Sequence, residues 1–274
     1  MGASRRGTAH VRRGEPRQDA RKVRHGSDGA LIVVVSDGAG SARHGGTGAA
    51  LAARAVARAA EGALHGRAFE SLCEEDLQDW VDAARDTIGR GAERRTDAGA
   101  PTTLRDFATT LLLAVSDGHR TWTAHVGDGA IVGRGAESGD WAVLSWPATG
   151  DYAGTTYFLT DEPAPALRVA HHETPISGLA LLSDGLERLV LDFAAQTAHG
   201  PFFERMARPL DVRASQNQKG PSRDLSTALG AYLDSENVCR RSDDDKTLVV
   251  AVRGDPSAEA ALPSKCESVT DADC

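Results

Sequence analysis

Acidic turns recur along the chain, each beside an apolar segment. Asp37, Asp128 and Asp184 each precede a glycine, and Asp244 lies just before the apolar run 247–252. Aspartates at the ends of buried strands are held by rigid backbone, and a neighbouring glycine lets the chain turn sharply. If these ends converge, the carboxylates repel one another unless cations bind between them. Oxygen ligands of this kind suit Mg²⁺ or Mn²⁺, so the pattern indicates a metal site.

The chemistry expected of such a site is phosphoryl transfer to water. Two divalent ions about 3.5–4 Å apart can lower the pKa of a water and hold a phosphoryl group for in-line attack. One Asp-Gly dipeptide alone predicts only a turn. The metal site is therefore predicted from the whole set of turns and not from any single one.

The elements that must position these turns are mostly short β-strands. Strands are predicted at 31–35, 107–115, 121–126, 130–133, 141–146, 155–159, 179–182 and 247–252. Helices are predicted at 47–64 and 72–89, and the region 186–233 is largely helical. Because strands and helices do not alternate regularly, antiparallel sheets with segregated helices are favoured over a parallel doubly wound sheet. The predicted fold class is α+β.

Composition limits the possible partners and location. The 274 residues carry a net charge of −8, which disfavours nucleic acid as a partner, since clustered Lys and Arg bind phosphate backbones. A basic run near the start, from Arg5 to Arg24, is more typical of a solvated surface. No apolar run is long enough for a membrane span, and no secretory signal is visible, so we expect a cytoplasmic protein without a membrane partner. The four cysteines form no Cys-x-x-Cys pair, which argues against a zinc ribbon.

Five ordered segments resemble the motifs of the PP2C-like (PPM) metal-dependent protein phosphatases, bacterial type. The resemblance extends over about residues 8–252. The segments are Gly-Glu-Pro-Arg-Gln-Asp-Ala at 14–20, Val-Val-Ser-Asp-Gly-Ala-Gly at 34–40, Ala-His-Val-Gly-Asp-Gly at 124–129, Leu-Ser-Asp-Gly-Leu at 182–186 and Asp-Asp-Lys-Thr-Leu-Val-Val at 244–250. Each segment alone is a weak signal, but their order and context are specific.

This resemblance implies a four-layer α-β-β-α sandwich of two antiparallel sheets flanked by helices, with metals in a cleft at one edge. It implies that Asp37 bridges two metal ions and that the carbonyl of Gly38 ligates one of them. Asp184 and Asp244 ligate the other. The expected cofactors are two Mn²⁺ or Mg²⁺ ions with a possible third, and the attacking group is a metal-bridging hydroxide. A phosphatase domain is expected over residues 8–254, between a disordered segment 1–7 and a flexible tail 255–274.

The resemblance assigns roles to further residues. Asp19 is implied to act in catalysis beside Asp37, through metal-held water or by placing the nucleophile, and Asp128 to support the third ion. Family members grip the substrate phosphate with an arginine, and we expect Arg13 to do so, with Arg12 and Arg17 as the alternatives. Many eukaryotic members carry a histidine where this chain has Ala39, so the general acid stays unassigned.

The predicted function is metal-dependent hydrolysis of phosphoserine and phosphothreonine in proteins, opposing a Ser/Thr kinase. A non-catalytic module that binds a partner through the same fold is an alternative, but the assigned metal ligands are all present. Hydrolysis of a small phosphoester is a second alternative, which the sequence does not separate from the first because the metals contact only the phosphoryl group. A metal-dependent nuclease is disfavoured by the acidic balance.

Overall fold

The computed structural model describes residues 1–26, 29–148, 156–164 and 167–254. Its strands are β1 (Gly2–Arg5), β2 (Ala20–His25), β3 (Leu31–Ser36), β4 (Leu111–Ser116), β5 (Thr121–Val126), β6 (Ala130–Gly135), β7 (Trp141–Ser145), β8 (Arg168–His172), β9 (Ile176–Leu182), β10 (Leu191–Asp192), β11 (Thr197–Ala198) and β12 (Lys246–Val252). Its α-helices are α1 (Thr8–Arg13), α2 (Gly45–Ala63), α3 (Glu74–Asp97), α4 (Glu187–Val190), α5 (Gly200–Ser215), α6 (Arg223–Leu233) and α7 (Glu236–Cys239).

Ten of these strands form two five-stranded sheets. One sheet has the order β1-β12-β9-β6-β7, the other has the order β2-β3-β4-β5-β8, and β10 and β11 form a separate small ladder. All neighbouring strands are antiparallel. The β5–β6 connection passes from one sheet to the other, so its turn lies at the edge between them.

Side chains alternate between two cores along each central strand. In β3, Ile32 and Val34 pack against α2 and α3, whereas Val33 and Val35 face the other sheet. In β9, Leu182 joins the core beneath α5 and α6, whereas Leu181 faces the first sheet. Because both faces of each sheet are covered, the central strands β3, β4 and β9 are almost entirely apolar. The predicted four-layer α-β-β-α sandwich is confirmed.

The prediction of disorder for residues 1–7 is wrong. Gly2–Arg5 form the edge strand β1, whose partners in β12 run from Val249 to Lys246. Small and polar residues in an edge strand leave no apolar alternation to detect. The strand β2 was missed for a related reason, since it is a basic edge strand, and charge on an edge discourages pairing with other chains. The predicted tail 255–274 lies outside the described residues.

Two other strand predictions need correction. Residues 156–159 form no strand, and Thr155 lies outside the described residues. Leu159 is nevertheless buried, and its N–H donates to the carbonyl of Thr109 at 2.7 Å. The apolar residues here therefore indicated a buried segment, but that segment is not paired as a strand in a sheet. The strand predicted at 107–115 begins only at Leu111, after a 3₁₀ turn ending at Phe107. Within the described ranges, no helix is long and apolar enough to cross a membrane.

Candidate metal centre

Two of the predicted aspartates lie side by side because their strands pair. Asp19 immediately precedes β2, and Asp37 immediately follows β3. In the antiparallel ladder, Ala20 is the partner of Ser36. The two carboxylates therefore leave the sheet at the same end, and they interact directly.

The other sheet brings three more aspartates to this end. Asp128 occupies the β5–β6 turn, Asp184 follows β9, and Asp244 precedes β12. Leu182 at the end of β9 is paired with both Ala130 and Leu248. The three turns are consequently neighbours, and the charges of Asp128 and Asp244 act on Asp184.

Asp19 is held by hydroxyl groups of the opposite sheet. Its Oδ2 accepts hydrogen bonds from Ser183 Oγ at 2.9 Å and from Thr247 Oγ1 at 2.5 Å. Ser183 Oγ in turn accepts from the N–H of Thr247 at 3.0 Å. The remaining oxygen, Oδ1, is buried and has no hydrogen-bond partner among the described residues. One carboxylate oxygen thus orients the side chain, and the other is left for a ligand.

The turn that carries Asp37 is clamped to the start of β4. The carbonyl of Asp37 accepts from Thr110 N and Thr109 Oγ1, both at 2.8 Å, and Asp37 N donates to Thr110 Oγ1 at 3.1 Å. A Cβ on the next residue, Gly38, would lie 2.2 Å from the backbone carbon of Gly45, so only glycine allows this close approach to α2. With its amide nitrogen facing inward, Gln18 donates to the Gly38 carbonyl at 2.7 Å.

Burial and mutual repulsion make it energetically unfavourable for these aspartates to be ionised without a bound cation. Burial raises the pKa of Asp37 well above its usual value, and the neighbouring Asp19 and Asp184 raise it further. Burial likewise raises the pKa of Asp184 well above its usual value, with Asp128 adding to the effect. The pKa of Asp19 rises to about 6, again chiefly through burial. A bound cation would relieve all three effects.

The donor set fits a hard divalent ion. Besides Asp19 Oδ1, Asp184 Oδ1 is buried without a hydrogen-bond partner in the described part of the chain. Unpaired buried oxygens are uncommon in folded proteins, and such atoms call for an ion or water. Carboxylate oxygens dominate the cluster, and they favour Mg²⁺ or Mn²⁺ over zinc. His10 has a ring nitrogen within 4.8 Å of a carboxylate oxygen of Asp244, but its Nδ1 is paired with Asp245 Oδ1 at 2.9 Å.

The consecutive residues Asp243, Asp244 and Asp245 have three different environments. Asp243 is exposed and forms an exposed ion pair with Arg12 at 3.1 Å. Asp244 is also exposed, and its charge acts on Asp128 and Asp184, so it faces the cluster. Asp245 is completely buried, its carboxylate accepts a hydrogen bond from the loop before β2, and its charge acts on Asp19. The sequence spacing that favours Asp244 is consistent with this arrangement.

Sequence reasoning missed the contacts made by Asp245. Its Oδ1 accepts from Gly7 N at 2.6 Å and His10 Nδ1 at 2.9 Å, and its Oδ2 accepts from Gln18 N at 2.5 Å. The carboxylate therefore ties α1 and the loop carrying Asp19 to the turn that carries Asp244. An acidic residue where the resembling family commonly has asparagine was the available signal, but nothing in the sequence linked it to His10.

Two further buried groups border the centre. Lys246 is fully buried, and its Nζ donates to the carbonyl of Asp244 at 3.1 Å. His125 Nδ1 lies 2.7 Å from Ser145 Oγ, and its Nε2 lies 3.1 Å from the carbonyl of Asp128; burial lowers the pKa of His125 to about 3. A neutral His125 therefore braces the Asp128 turn.

Glu187 also borders the cluster. Its Oε1 accepts from the N–H of Gly129 at 2.5 Å, beside the Asp128 turn. Burial raises the pKa of Glu187 to about 7, and the charge of Asp128 adds to the effect. The sequence offered no signal for this contact, because nothing local links the start of α4 to the β5–β6 turn.

Arg13 is not drawn into the aspartate cluster. It is the last residue of α1, is exposed, and forms an ion pair with Glu15 at 2.9 Å. Arg17 lies closer, since its Nε donates to the carbonyl of Asp19 at 3.0 Å.

The fold and the cluster together define a two-sheet sandwich with a candidate metal centre at one edge. The chain belongs to the protein phosphatase 2C family, whose sequence profile matches residues 6–233. It is 32% identical over 262 residues to Serine/threonine-protein phosphatase 3 of Escherichia coli (strain K12), covering 91% of this chain and 96% of that protein.

Solved structures share the fold at low sequence identity. A bacterial serine phosphatase superposes with a TM-score of 0.60 at 14% identity, covering 93% of this chain and 98% of that one. The serine/threonine phosphatase Stp1 from Staphylococcus aureus gives 0.59 at 13% identity, covering 92% and 94%. The catalytic domain of the serine/threonine protein phosphatase PstP, solved with two manganese ions, gives 0.55 at 19% identity, covering 92% and 96%.

Proposed function

We propose that this protein is a metal-dependent phosphatase that hydrolyses phosphoserine and phosphothreonine in proteins. The observation that carries the proposal is the convergence of five aspartates, from separate turns of both sheets, on one edge of the sandwich. Two of them present buried oxygens with no partner among the described residues. Family membership, the name of the E. coli relative and the manganese complex of PstP support the same activity.

The proposed ligands follow from position and unpaired oxygens. Asp37, with the carbonyl of Gly38, would hold the metal ions from the first sheet, and Asp184 and Asp244 would hold them from the second. Asp128 would complete a weaker third position. When bound, the ions would supply Lewis acidity to an attacking water and to the phosphoryl oxygens.

The proposed role of Asp19 is to orient the water. Its Oδ2 is locked by Ser183 and Thr247, so the side chain cannot rotate freely. The remaining oxygen, Oδ1, can accept a hydrogen bond from the attacking water. This hydrogen bond would orient the water so that a lone pair of the water oxygen is directed toward phosphorus. Asp19 is then a group that positions the nucleophile and accepts its proton at Oδ1.

Substrate phosphate requires a cation at the mouth of the cleft. Arg13 stays our prediction, since its guanidinium is exposed and its ion pair with Glu15 can be exchanged for one with phosphate at little cost. An opposing Ser/Thr kinase and a cytoplasmic location also stay predictions from the sequence.

The test is hydrolysis of a phosphothreonine peptide with Mn²⁺, with Mg²⁺ and with chelator. Asp37→Asn is compared with Asp243→Asn, a change in an exposed aspartate outside the cluster. We expect metal-dependent turnover that Asp243→Asn retains. Asp37→Asn should lower kcat by more than the roughly 10–100-fold typical of an outer-shell partner.

Two outcomes would argue against the proposal. Folded protein without turnover in either metal would reject an enzyme and favour a partner-binding module. Turnover of a small aryl phosphate with a far higher kcat/KM than any phosphopeptide would retain the metal chemistry but assign a small phosphoester as substrate.

A comparison of Arg13→Ala with Arg12→Ala tests the contact with the substrate phosphate. We expect only Arg13→Ala to raise KM.

A further inference from the structure

A cavity extends along the edge strands of the two sheets, apart from the aspartate cluster. It has a volume of about 860 Å³ and opens between the edge strands β1 and β2. Leu31, the first residue of β3, lines it, whereas Asp37 follows the last residue of the same strand. Arg21, two residues after Asp19 and paired with Val35, marks the end of the cavity nearer the metal centre. None of the five clustered aspartates lines the cavity.

The cavity wall is strongly basic. Four cationic side chains line it, from β2, α5, the loop after α5 and the residue that follows β12: Arg21, Arg213, Lys219 and Arg253. We call this cavity with its lining the basic groove. Asp117 is the single carboxylate among its described lining residues. Its Oδ1 already accepts from the N–H groups of His119 and Arg120, both at 2.7 Å. Among the described lining residues, cationic side chains thus outnumber carboxylates by four to one.

Arg21 is a half-buried cation of this wall. Its guanidinium lies beside the backbone of Gly2 in β1, where a Cβ on that glycine would lie 3.1 Å from Nη1. Arg21 and Arg213 form no side-chain hydrogen bond or ion pair with another residue that the structure describes. Partial burial lowers the pKa of Arg21, and the charges of Arg17 and Arg5 add to the effect. A guanidinium in these surroundings gains from an anionic partner.

The chain itself supplies such an anion next to the groove. Gly254, which ends the described structure, lines the cavity. The following residues, 255–274, carry carboxylates at five positions and one ammonium group at Lys265; the acidic residues are Asp255, Glu259, Glu267, Asp271 and Asp273. A segment tethered at the mouth of its site binds at an effective concentration in the millimolar range, so even a weak contact is populated.

We propose that the basic groove binds the chain's own acidic segment 255–274, with the carboxylates of Asp255 and Glu259 against Arg21 and Arg213. A cavity of this size takes a ligand of only a few residues, so the part nearest Gly254 fills it and the later acidic residues add long-range attraction. The apolar floor, which includes Leu31 and Leu179, contacts the small apolar residues between the two carboxylates.

The test measures backbone order of the full chain by ¹⁵N NMR relaxation. The amides of Asp255, Ser257, Ala258 and Glu259 in the wild type at about 0.05 M NaCl should approach the order parameter of about 0.85 found in rigid backbone. Arg21→Gln with Arg213→Gln should lower it below about 0.6, the value for flexible backbone. Asp255→Asn with Glu259→Gln should do the same without altering the groove. The matched control is Arg208→Gln, an exposed arginine on the same helix as Arg213 but outside the cavity.

Salt and concentration separate the possible occupants. At about 0.5 M NaCl the Debye length falls to roughly 4 Å, and the order of 255–259 should fall with it. Order that appears only at high protein concentration would assign the segment to the groove of a second copy and overturn binding within one chain. Order parameters below about 0.6 in the wild type at low salt would also overturn the proposal. In that case, pyrophosphate-induced shifts of the Arg21 and Arg213 resonances would assign the groove to a free anion.

The readout does not involve turnover. Its failure therefore leaves the proposed phosphatase activity untouched, and an inactive protein could still show the ordered segment.

Discussion

The sharpest structural prediction concerns Asp245→Asn. This change keeps the size of a completely buried side chain but removes one acceptor oxygen. In the native turn, both oxygens accept hydrogen bonds, from Gly7 N and His10 Nδ1 on one and from Gln18 N on the other. An asparagine amide group must face one of these donors. Whichever way the amide turns, at least one backbone N–H loses its acceptor.

The magnitude follows from two costs. A hydrogen bond to a charged group contributes about 1.5–3 kcal/mol, and a buried donor left unsatisfied costs about 1–3 kcal/mol. Because these costs overlap, we expect the free energy of unfolding to fall by about 2–4 kcal/mol. This predicted loss of stability contrasts with the family motif, in which asparagine is common at the position of Asp245.

Urea unfolding in the presence of chelator measures this loss without the contribution of bound metal. Asp243→Asn is the control, because its partner Arg12 and its own side chain are mostly exposed; it should change stability by no more than about 0.5 kcal/mol. If Asp245→Asn unfolds at the same urea concentration as the wild type, three donors do not converge on this carboxylate, and the argument for its role fails.

Three further predictions concern the same end of the sandwich. Mn²⁺ at about 100 times its Kd should raise the free energy of unfolding of the wild type by about 2.7 kcal/mol, and a thermal-shift assay should show little of this gain in Asp37→Asn. The pKa of His125 is lowered to about 3 in the folded protein. Below about pH 6.5 only the unfolded chain therefore binds a proton at this residue, and the free energy of unfolding falls by about 1.4 kcal/mol per pH unit. Between about pH 7 and pH 5, denaturant unfolding should show a loss of stability roughly 2 kcal/mol larger in the wild type than in His125→Gln. Gly185→Ala would place a Cβ 2.0 Å from the carbonyl of Asp245 and should cost about 1–3 kcal/mol in urea unfolding, whereas Gly62→Ala, with no atom near the new Cβ, should not destabilise the protein.

Much of the central architecture was predictable from local pattern. The β-branched run 31–35 and the apolar run 247–252 are buried on both faces, so their composition alone marks them as central strands. The edge strands β1 and β2 were not predictable, because one consists of small and polar residues and the other is basic. Each edge strand pairs with the free backbone N–H and C=O groups of a neighbouring strand, and no local sequence pattern indicates which strand that is.

The candidate site also contains some residues that could be predicted from sequence and others whose contacts could not. Asp37, Asp128 and Asp184 could be selected from sequence because each ends an apolar strand at an Asp-Gly turn. The choice of Asp244 over Asp245 as the residue facing the cluster rested only on spacing and resemblance. In the structure, Asp245 is held by His10, 235 positions away in the chain.

The sequence by itself determined the types of element, their order and the residues able to bind divalent metal. These properties depend on local conformational preference and on the alternation of buried side chains. Tertiary structure alone decided which oxygens are paired and which are left for a ligand, as Asp19 Oδ2 and Oδ1 illustrate. It also decided that basic residues from β2, from α5 and from the segment after β12 meet in one groove. Such pairings arise between groups far apart in the chain, and they depend on distances of a few ångströms that only the packed sheets define.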